Sequence, residues 1–248
     1  MSTVKKAKTA ASKTTKTVAS KPTKKALIVW GGWDGHTPKP CADLFAPWLE
    51  SKGFQVVVSD TLDAYADKDQ MKDVNLIVPI WTMGELKKEQ WAGLNEAVLN
   101  GAGLAGWHGG MCDSFRTHTS YQFMTGGQWV AHPGNIIPHQ INITAPDDPI
   151  VKGLKDFEMV SEQYYMHTDP SNEALATTTF SGKHGNCPWI KGTVMPYVWK
   201  RTYGKGRVFY TALGHVAADF KVPEAMEIVK RGMQWAARER IKPEYTSA

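Results

Sequence analysis

The sequence predicts an α/β protein with three α/β/α layers, in which a mostly parallel central sheet lies between two layers of helices. Short apolar runs rich in branched residues alternate with amphipathic segments over residues 26–107. This alternation is typical of right-handed crossovers between parallel strands. The chain has 248 residues, of which 42% are hydrophobic, which is enough for one sizeable core but short for two. We therefore expect a single domain over residues 26–240.

Four strands are predicted in the first half of the domain, because four short runs are almost wholly apolar. They span residues 26–30, 54–59, 75–80 and 103–107. Continuous apolar runs of this length are typical of parallel strands buried on both faces. Helical periodicity predicts one helix around residues 44–49 and a second over residues 87–99. Pro79 is expected near the end of the third strand, because proline cannot donate a hydrogen bond to a β-ladder.

After residue 117 the alternation fades and shorter strands are predicted. They span residues 137–144, 159–165 and 174–179, followed by a hairpin with arms at 197–202 and 207–213. A final helix is expected to begin at Pro223, since proline is favoured in the first turn of a helix. Ligands of parallel sheets bind beyond the carboxyl ends of the strands. The loops at 31–38, 81–85 and 108–116 are therefore the expected site.

The net charge is concentrated in the amino-terminal segment. Residues 1–25 contain eight lysines and no acidic residue, whereas the whole chain carries a formal charge of +5. The remainder is thus mildly acidic, at about −3, which argues against a nucleic-acid-binding face on the domain. Residues 1–25 have too little apolar surface to offset their ordering entropy, and we expect a disordered tail that attracts nucleic acid weakly at most. Residues 241–248 are expected to form a second tail.

The composition favours a soluble cytoplasmic protein. No run of 18 apolar residues occurs, so no membrane-spanning helix and no membrane partner are expected. The three cysteines, Cys41, Cys112 and Cys187, are odd in number and show no paired spacing, which fits a reducing compartment. The tail lacks the apolar stretch of a secretory signal. The sequence leaves homo-oligomerisation open.

His108 gives the sharpest indication of a functional site. It follows a predicted buried strand in the sequence Gly-Trp-His-Gly-Gly, a context similar to the nucleophile elbow, where small neighbours let one side chain project. Class I amidotransferases have a cysteine there, whereas histidine cannot form their thioester. A histidine so presented is a metal ligand or an acid–base group. Cys112, four residues later, is interpreted as a small buried residue.

Other candidates follow predicted strands or lie in polar loops. Potential catalytic or metal-ligating residues are Asp113, His132, Glu162 and His215. Each has an ordinary structural alternative, as when an aspartate such as Asp113 caps a helix, and none shows a local metal-ligand spacing. Trp33, Trp81 and Trp107 come at strand ends, where flat aromatic faces suit the apolar side of a sugar ring.

Six strings of residues resemble one family when they are taken together. They are Gly-Trp-His-Gly-Gly-Met (106–111), Asp-Ser-Phe-Arg (113–116), Gly-Gly-Gln-Trp-Val-Ala-His-Pro-Gly (126–134), Ser-Glu-Gln-Tyr-Tyr (161–165), Tyr-Gly-Lys-Gly-Arg-Val-Phe-Tyr (203–210) and Leu-Gly-His (213–215). The sequence in this combination resembles the ThuA, or trehalose-utilisation, family over residues 26–238. The resemblance implies a flavodoxin-like fold similar to class I glutamine amidotransferases, without the glutaminase cysteine.

The resemblance also implies a function in carbohydrate metabolism. It implies action on trehalose-type disaccharides, other glycosides or their 3-keto derivatives, with a small sugar as the partner. The cluster carried over from the family comprises His108, His132, Glu162 and His215, which would act as acid–base groups or hold one divalent metal ion; no other cofactor is expected. The residues expected to contact substrate are Trp33, Asp34, His36, Trp81, Trp107 and Arg116.

Three other interpretations remain open at the level of sequence. The chain could be a non-catalytic carbohydrate-binding module on a glutaminase-like fold. An amidotransferase that relies on Cys112 is disfavoured, because histidine occupies the elbow. A DNA-associated protein would depend wholly on the lysines of residues 1–25.

Overall fold

In the computed structural model, which describes residues 24–237, eleven strands and six α-helices follow one another along the chain. The strands are β1 (Lys24–Gly32), β2 (Phe54–Ser59), β3 (Leu76–Thr82), β4 (Gly103–Trp107), β5 (Gly127–Ala131), β6 (Ile136–Ile143), β7 (Phe157–Glu162), β8 (Tyr165–Thr168), β9 (Glu173–Thr179), β10 (Val194–Tyr203) and β11 (Gly206–Thr211). The helices are α1 (Pro38–Ser51), α2 (Lys68–Met71), α3 (Lys88–Leu99), α4 (Gly109–Cys112), α5 (Thr119–Thr125) and α6 (Pro223–Ala236).

The central sheet has a parallel half and an antiparallel half. Its strand order is β2-β1-β3-β4-β11-β10-β9-β6-β7. The first five strands in this order pair in parallel. They include runs without solvent exposure, such as Ala26–Val29 in β1, because helices cover both faces of a doubly wound sheet. The predicted α/β fold with a large, mostly parallel central sheet is confirmed.

The antiparallel half extends the sheet beyond β11. β10 and β11 form a hairpin in which Tyr203 pairs with Gly206, and β9, β6 and β7 continue the antiparallel pairing. β6 alternates exposed and buried residues along most of its length, as expected for a strand with one face toward solvent. β5 and β8 form a separate two-stranded sheet.

Helices cover both faces of the parallel half. On one face Gly232 of α6 lies so close to Phe209 of β11 that a Cβ there would clash, and α1 packs on β1 and β2. On the other face Gly206 of β11 contacts the backbone of Val98 in α3. The two sets of contacts define the three layers. Within residues 24–237, no helix is long and apolar enough to cross a membrane.

Four local expectations need correction. β1 begins at Lys24 rather than residue 26, because Lys24 and Lys25 pair with β2. Pro79 lies inside β3 rather than near its end. The pairing of β3 with β4 is limited to Leu76 and Ile77, so the N–H that proline lacks is not needed for pairing with β4. The strand predicted at 159–165 is divided between β7, which ends at Glu162, and β8, which begins at Tyr165. β5 was not predicted from the sequence. The tails expected at 1–25 and 241–248 lie outside the described residues, apart from Lys24 and Lys25.

Candidate functional site

The elbow after β4 presents His108 in a strained backbone conformation. Its φ of 46° and ψ of −139° lie in a region of backbone conformation that residues other than glycine rarely adopt. Residues strained in this way cluster at functional sites. Gly109 follows it, and a Cβ at that position would clash with the ring of His36. The glycine therefore lets a loop from another strand approach the elbow closely.

Hydrogen bonds fix the orientation and the tautomer of His108. Its Nδ1 donates to the carbonyl oxygen of Ala212 at 2.9 Å, which leaves the lone pair of the neutral ring on Nε2. The ring stacks on Tyr164 with centroids 3.8 Å apart, and His108 is 1% exposed. The sequence suggested a projecting side chain, but the structure buries the ring and turns its Nε2 inward.

Glu162 and His215 converge on this Nε2 from distant parts of the chain. The Nε2 of His108 lies 3.1 Å from Oε2 of Glu162 and 3.3 Å from Nδ1 of His215. The third side of the triangle, from His215 Nδ1 to Glu162 Oε2, is 3.3 Å. Glu162 ends β7, whereas His215 follows β11. The site therefore draws side chains from both halves of the sheet, with Glu162 coming from the edge strand β7.

His36 adds a fourth side chain to the triangle. It ends a short 3-10 helix, Asp34–His36, that follows β1, and its Nδ1 lies 2.7 Å from the Thr82 hydroxyl. Its ring packs edge-on against those of His108 and His215. The four side chains each offer a ligand atom, and these atoms all lie within 4.8 Å of one another. The sequence had assigned His36 to substrate contact rather than to this cluster.

Burial keeps the buried histidines neutral while the carboxylate stays charged. Desolvation lowers the pKa of His36 from 6.5 to about 3. Desolvation also lowers the pKa of His108, against the opposing effect of the neighbouring carboxylate of Glu162. Burial alone would raise the pKa of Glu162, but the nearby imidazoles of His108 and His215 outweigh it and hold that pKa below its usual range. Neutral imidazoles beside a carboxylate are the protonation states that metal ligands require.

The dimensions of the triangle suit a divalent transition metal. Ligand atoms bound at about 2.1 Å to one ion lie roughly 3.0–3.4 Å apart in octahedral or tetrahedral geometry. The backbone carbonyl that receives the Nδ1–H of His108 is the kind of outer partner that orients a ligating imidazole. Without a cation, the lone pair of His108 would face a carboxylate oxygen. A shared proton or a metal ion relieves that repulsion.

His132 lies on the outer side of Glu162. Its Nε2 is 3.7 Å from Oε1 of Glu162, so the two oxygens of the carboxylate face different histidines. Its side chain is 29% exposed, and its ring lies against Trp129 and Tyr164. The structure thus places His132 beside the cluster. It is more accessible than expected of a metal ligand, the role in which the sequence had also placed it.

Asp113 and Arg116 pair with each other beyond His132. The Nε and Nη2 of Arg116 donate to the two oxygens of Asp113 at 2.6 and 2.9 Å. Asp113 is buried, whereas Arg116 is exposed and lies 4.6 Å above the ring of Trp129. The structure therefore gives Asp113, expected among the catalytic groups, a salt-bridge partner and no recorded contact with the cluster.

The predicted aromatic contacts divide between rim and core. Trp33 is 47% exposed and its ring packs edge-on against His36, while Asp34 beside it is exposed. Trp81 is half-buried. Trp107 is 2% exposed and packs on Phe45 and Phe220 in the core. Alternate residues of β4 face opposite sides of the sheet, and Trp107 faces the side that Phe45 and Phe220 cover. Its buried ring is therefore not available to a ligand.

Cys112 lies in the core, where its chemistry is suppressed. It is 1% exposed, and burial raises the pKa of its thiol well above the usual range. A thiol is a poor nucleophile unless it is ionised. The interpretation of Cys112 as a buried apolar residue agrees with this placement.

Two residues of the site were missed at the level of sequence. Tyr164 stacks on His108, and Trp129 lies between His132 and Arg116. Both belong to strings quoted above, Ser-Glu-Gln-Tyr-Tyr and Gly-Gly-Gln-Trp-Val-Ala-His-Pro-Gly. Tyr164 lies two residues after Glu162 and Trp129 three residues before His132, and this closeness in the sequence was the available signal.

The fold and the site define an α/β protein that carries a histidine–carboxylate cluster at the carboxyl ends of its parallel strands. The chain belongs to the ThuA family, whose model, described as trehalose utilisation, matches residues 25–236. No curated protein matches the sequence.

Solved structures share the fold at low sequence identity. A ThuA-like protein from Bacteroides uniformis superposes with a TM-score of 0.73 at 18% identity, covering 90% of this chain and 95% of that one. A ThuA-like protein from Parabacteroides merdae gives 0.68 at 20% identity, with 91% and 93% covered. A cytoplasmic protein from Salmonella typhimurium gives 0.59 at 12% identity, with 87% and 99% covered.

Proposed function

We propose that this chain is an enzyme of carbohydrate breakdown that acts on glycosides through their 3-keto derivatives, and that its cluster holds one divalent metal ion. The triangle formed by His108, His215 and Glu162, with sides of 3.1–3.3 Å, carries the proposal. Family membership supports the choice of a sugar over other carbonyl compounds. The proposal assigns the metal to His36, His108, Glu162 and His215, and leaves His132 outside it.

The lowered pKa values support metal binding at neutral and mildly acidic pH. Protons compete with a metal for imidazole nitrogens, but the pKa of His36 is lowered to about 3 and that of His108 is also lowered, both mainly by desolvation. The carboxylate of Glu162 supplies the negative charge of the set. A bound divalent ion would polarise a substrate carbonyl and so acidify the adjacent carbon.

The chain's own groups can then transfer the proton. In a 3-keto-glycoside the C2 proton is acidic, and a base removes it. The electron pair left on C2 forms the C1=C2 double bond as the C1–O bond breaks, and the departing oxygen takes up a proton. His132 is the proposed acid–base group, because it is accessible and lies 3.7 Å from Glu162. The 3-keto group must come from a preceding oxidation.

Metal analysis combined with turnover tests this proposal. The purified chain should bind about one divalent transition-metal ion, measured by elemental mass spectrometry, and release the free sugar from a 3-keto-disaccharide. Glu162→Gln keeps the shape of the side chain but removes its charge. It should lower metal affinity at least a hundredfold, since a ligand contributes at least as much as its outer partners do, and turnover should fall with it.

His167→Ala is the matched control, because His167 is an exposed histidine on β8 outside the cluster. It should keep both metal and activity. Full activity in the metal-free protein, prepared with a chelator, would refute the metal-ion part of the proposal. Acid–base catalysis without a metal would then be the remaining mechanism. Sugar binding without turnover under any metal would instead support a non-catalytic carbohydrate-binding module.

A further inference from the structure

One carboxylate beside the cluster joins two segments that carry its ligands. Asp219 lies in a short 3-10 helix, Ala217–Lys221, that follows His215. Its Oδ2 accepts a hydrogen bond from the backbone N–H of His215 at 3.0 Å and another from the hydroxyl of Ser161 at 2.6 Å. Ser161 immediately precedes Glu162 on β7. A single oxygen atom therefore ties the loop of His215 to the strand of Glu162.

These two hydrogen bonds connect parts of the chain that are not neighbours in the sheet. His215 follows β11, and β10, β9 and β6 lie between β11 and β7 in the strand order. The Nδ1 of His215 is nevertheless 3.3 Å from Oε2 of Glu162. Direct pairing of the two strands cannot set this distance. The bonds of Asp219 act on the backbone of His215 itself and one residue away from Glu162.

The loop formed by residues 215–219 is also tied to the segment that carries His36. The N–H of Ala217 donates to the hydroxyl of Thr37 at 2.9 Å, and Thr37 directly follows His36. The φ of Thr37 is 47°, in the left-handed region that β-branched residues rarely adopt. Such a conformation persists where surrounding contacts hold it. The 215–219 loop thus bonds next to His36 and next to Glu162, and carries His215 itself.

Asp219 acts on the ligands without being one of them. Among the described residues, the side chains whose ligand atoms lie within 4.8 Å of one another are His36, His108, Glu162 and His215. The Oδ2 of Asp219 already accepts two hydrogen bonds. Outer partners of this kind orient the groups that bind a metal, and their loss typically costs about 10–100-fold in metal affinity.

We infer that Asp219 is a positioning residue, which holds His215 and Glu162 at the separation that a shared metal ion requires. This inference rests on the proposed function and adds to it a residue, outside the ligand set, on which metal affinity depends. The hydrogen bonds of Asp219 perform this role rather than its charge. An asparagine whose side-chain oxygen takes the place of Oδ2 can accept both bonds, whereas alanine accepts neither.

The test measures Co²⁺ affinity of the full chain by competition with a chelator. Asp219→Ala should lower the affinity about 10–100-fold, and the visible absorption spectrum of the bound Co²⁺ should change because the ligands are displaced. Asp219→Asn should keep the wild-type spectrum and an affinity within about threefold of the wild type. An asparagine variant that loses as much affinity as the alanine variant would make the charge essential and overturn the inference.

Ser161→Ala removes one of the two bonds and leaves the bond to the His215 N–H in place. It should lower Co²⁺ affinity by less than Asp219→Ala does, and it provides the same comparison if Asp219→Ala does not fold. Wild-type affinity in Ser161→Ala would show that β7 is not held through Asp219, which also contradicts the inference.

Asp67→Ala is the matched control for lost stability. One oxygen of Asp67 also accepts two hydrogen bonds, from the N–H groups of Asp69 and Gln70 at the start of α2, away from the cluster. This variant should lower Tm in a thermal melt but leave Co²⁺ affinity unchanged. If it lowered affinity as much as Asp219→Ala did, the effect at Asp219 would reflect stability alone and the positioning role would be wrong.

Crystal structures of the metal-free wild type and the Asp219 variants separate this inference from the proposed function. The distance from His215 Nδ1 to Glu162 Oε2 should open to more than about 4 Å in Asp219→Ala, beyond hydrogen-bond range, and stay near the wild-type value in Asp219→Asn. If the wild type binds no divalent ion but the distance opens, the metal is wrong and the positioning role is supported. If the wild type binds the metal and Asp219→Ala keeps both distance and affinity, the metal stands and the positioning role is wrong.

Discussion

The two halves of the sheet contribute different chemistry to one site. The parallel half supplies three imidazoles, through His36 after β1, His108 after β4 and His215 after β11. The antiparallel half supplies the carboxylate of the cluster, Glu162, at the end of β7. His132 comes from a third place, directly after β5, which pairs with β8 in the two-stranded sheet. The cluster therefore combines side chains from both halves of the sheet.

Each half holds its part of the cluster through backbone contacts of its own. In the parallel half, His108 is held by backbone pairing around it, since its N–H donates to Thr211 O at 2.7 Å. In the antiparallel half, Glu162 pairs with Ile136 of β6, and the Tyr197 hydroxyl donates to its backbone carbonyl at 2.9 Å. We expect substitutions at His108 to reduce turnover most. Substitutions behind Glu162 should act by moving its carboxylate.

The largest effect is expected at the elbow. His108→Ala removes the side chain that both Glu162 and His215 contact, so turnover of a 3-keto-disaccharide should fall at least about a thousandfold, on the order expected when a group essential to the chemistry is removed. Because the ring is buried against Tyr164, the variant should also lose about 1–3 kcal/mol of unfolding free energy. Steady-state kinetics and urea unfolding measure the two losses.

His108→Asn serves as the companion variant, since it fills part of the space and can still accept or donate a hydrogen bond. It should recover part of the stability but little of the activity. If His108→Asn kept more than a tenth of wild-type turnover, the elbow histidine would have a packing role and the parallel half would not direct the chemistry.

A smaller, pH-dependent effect is expected behind Glu162. His139 is buried, and its Nε2 lies 3.1 Å from the Tyr197 hydroxyl that holds Glu162. Desolvation lowers the pKa of His139 in the folded state, against the opposing effects of its hydrogen bond to the Ile137 carbonyl and of the charges of Asp219 and Glu158. The unfolded chain then binds more protons below pH 6.5, so stability is present above that pH and falls as the solution is acidified. One such group contributes at most about 1.4 kcal/mol per pH unit.

His139→Gln should flatten this dependence. Thermal melts between pH 7 and pH 5, run with a chelator so that metal release plays no part, should show a shallower decline than the wild type. The decline should not vanish, because burial also lowers the pKa values of His36 and His108. A steeper decline in the variant would mean that His139 is charged in the folded protein.

The sequence predicted the parallel half well because its information is local. The apolar run of β4 and the glycines of the elbow lie directly beside His108 in the sequence. The strand, the turn and the histidine could therefore be predicted from one short segment. The cluster could not be derived in this way. The ring contacts of His36 with His108 and His215 depend on strand order, which a single sequence does not encode locally. The burial of Trp107 against Phe45 and Phe220 could not be predicted for a similar reason, since it depends on which helices cover that face of the sheet.

The smallest effect is expected at Cys112, three residues into the turn that follows Gly109. Its thiol is buried, and burial raises its pKa, so it stays protonated and unreactive. Cys112→Ala should therefore keep turnover within about threefold of the wild type and lose about 1 kcal/mol of stability from one small cavity. Kinetics on the 3-keto-disaccharide, glutamine hydrolysis assays and urea unfolding give the three readings. Wild-type glutamine hydrolysis that disappears in Cys112→Ala would make the thiol the reactive group. That result would place the chemistry on helix α4 rather than on the cluster of His36, His108, Glu162 and His215.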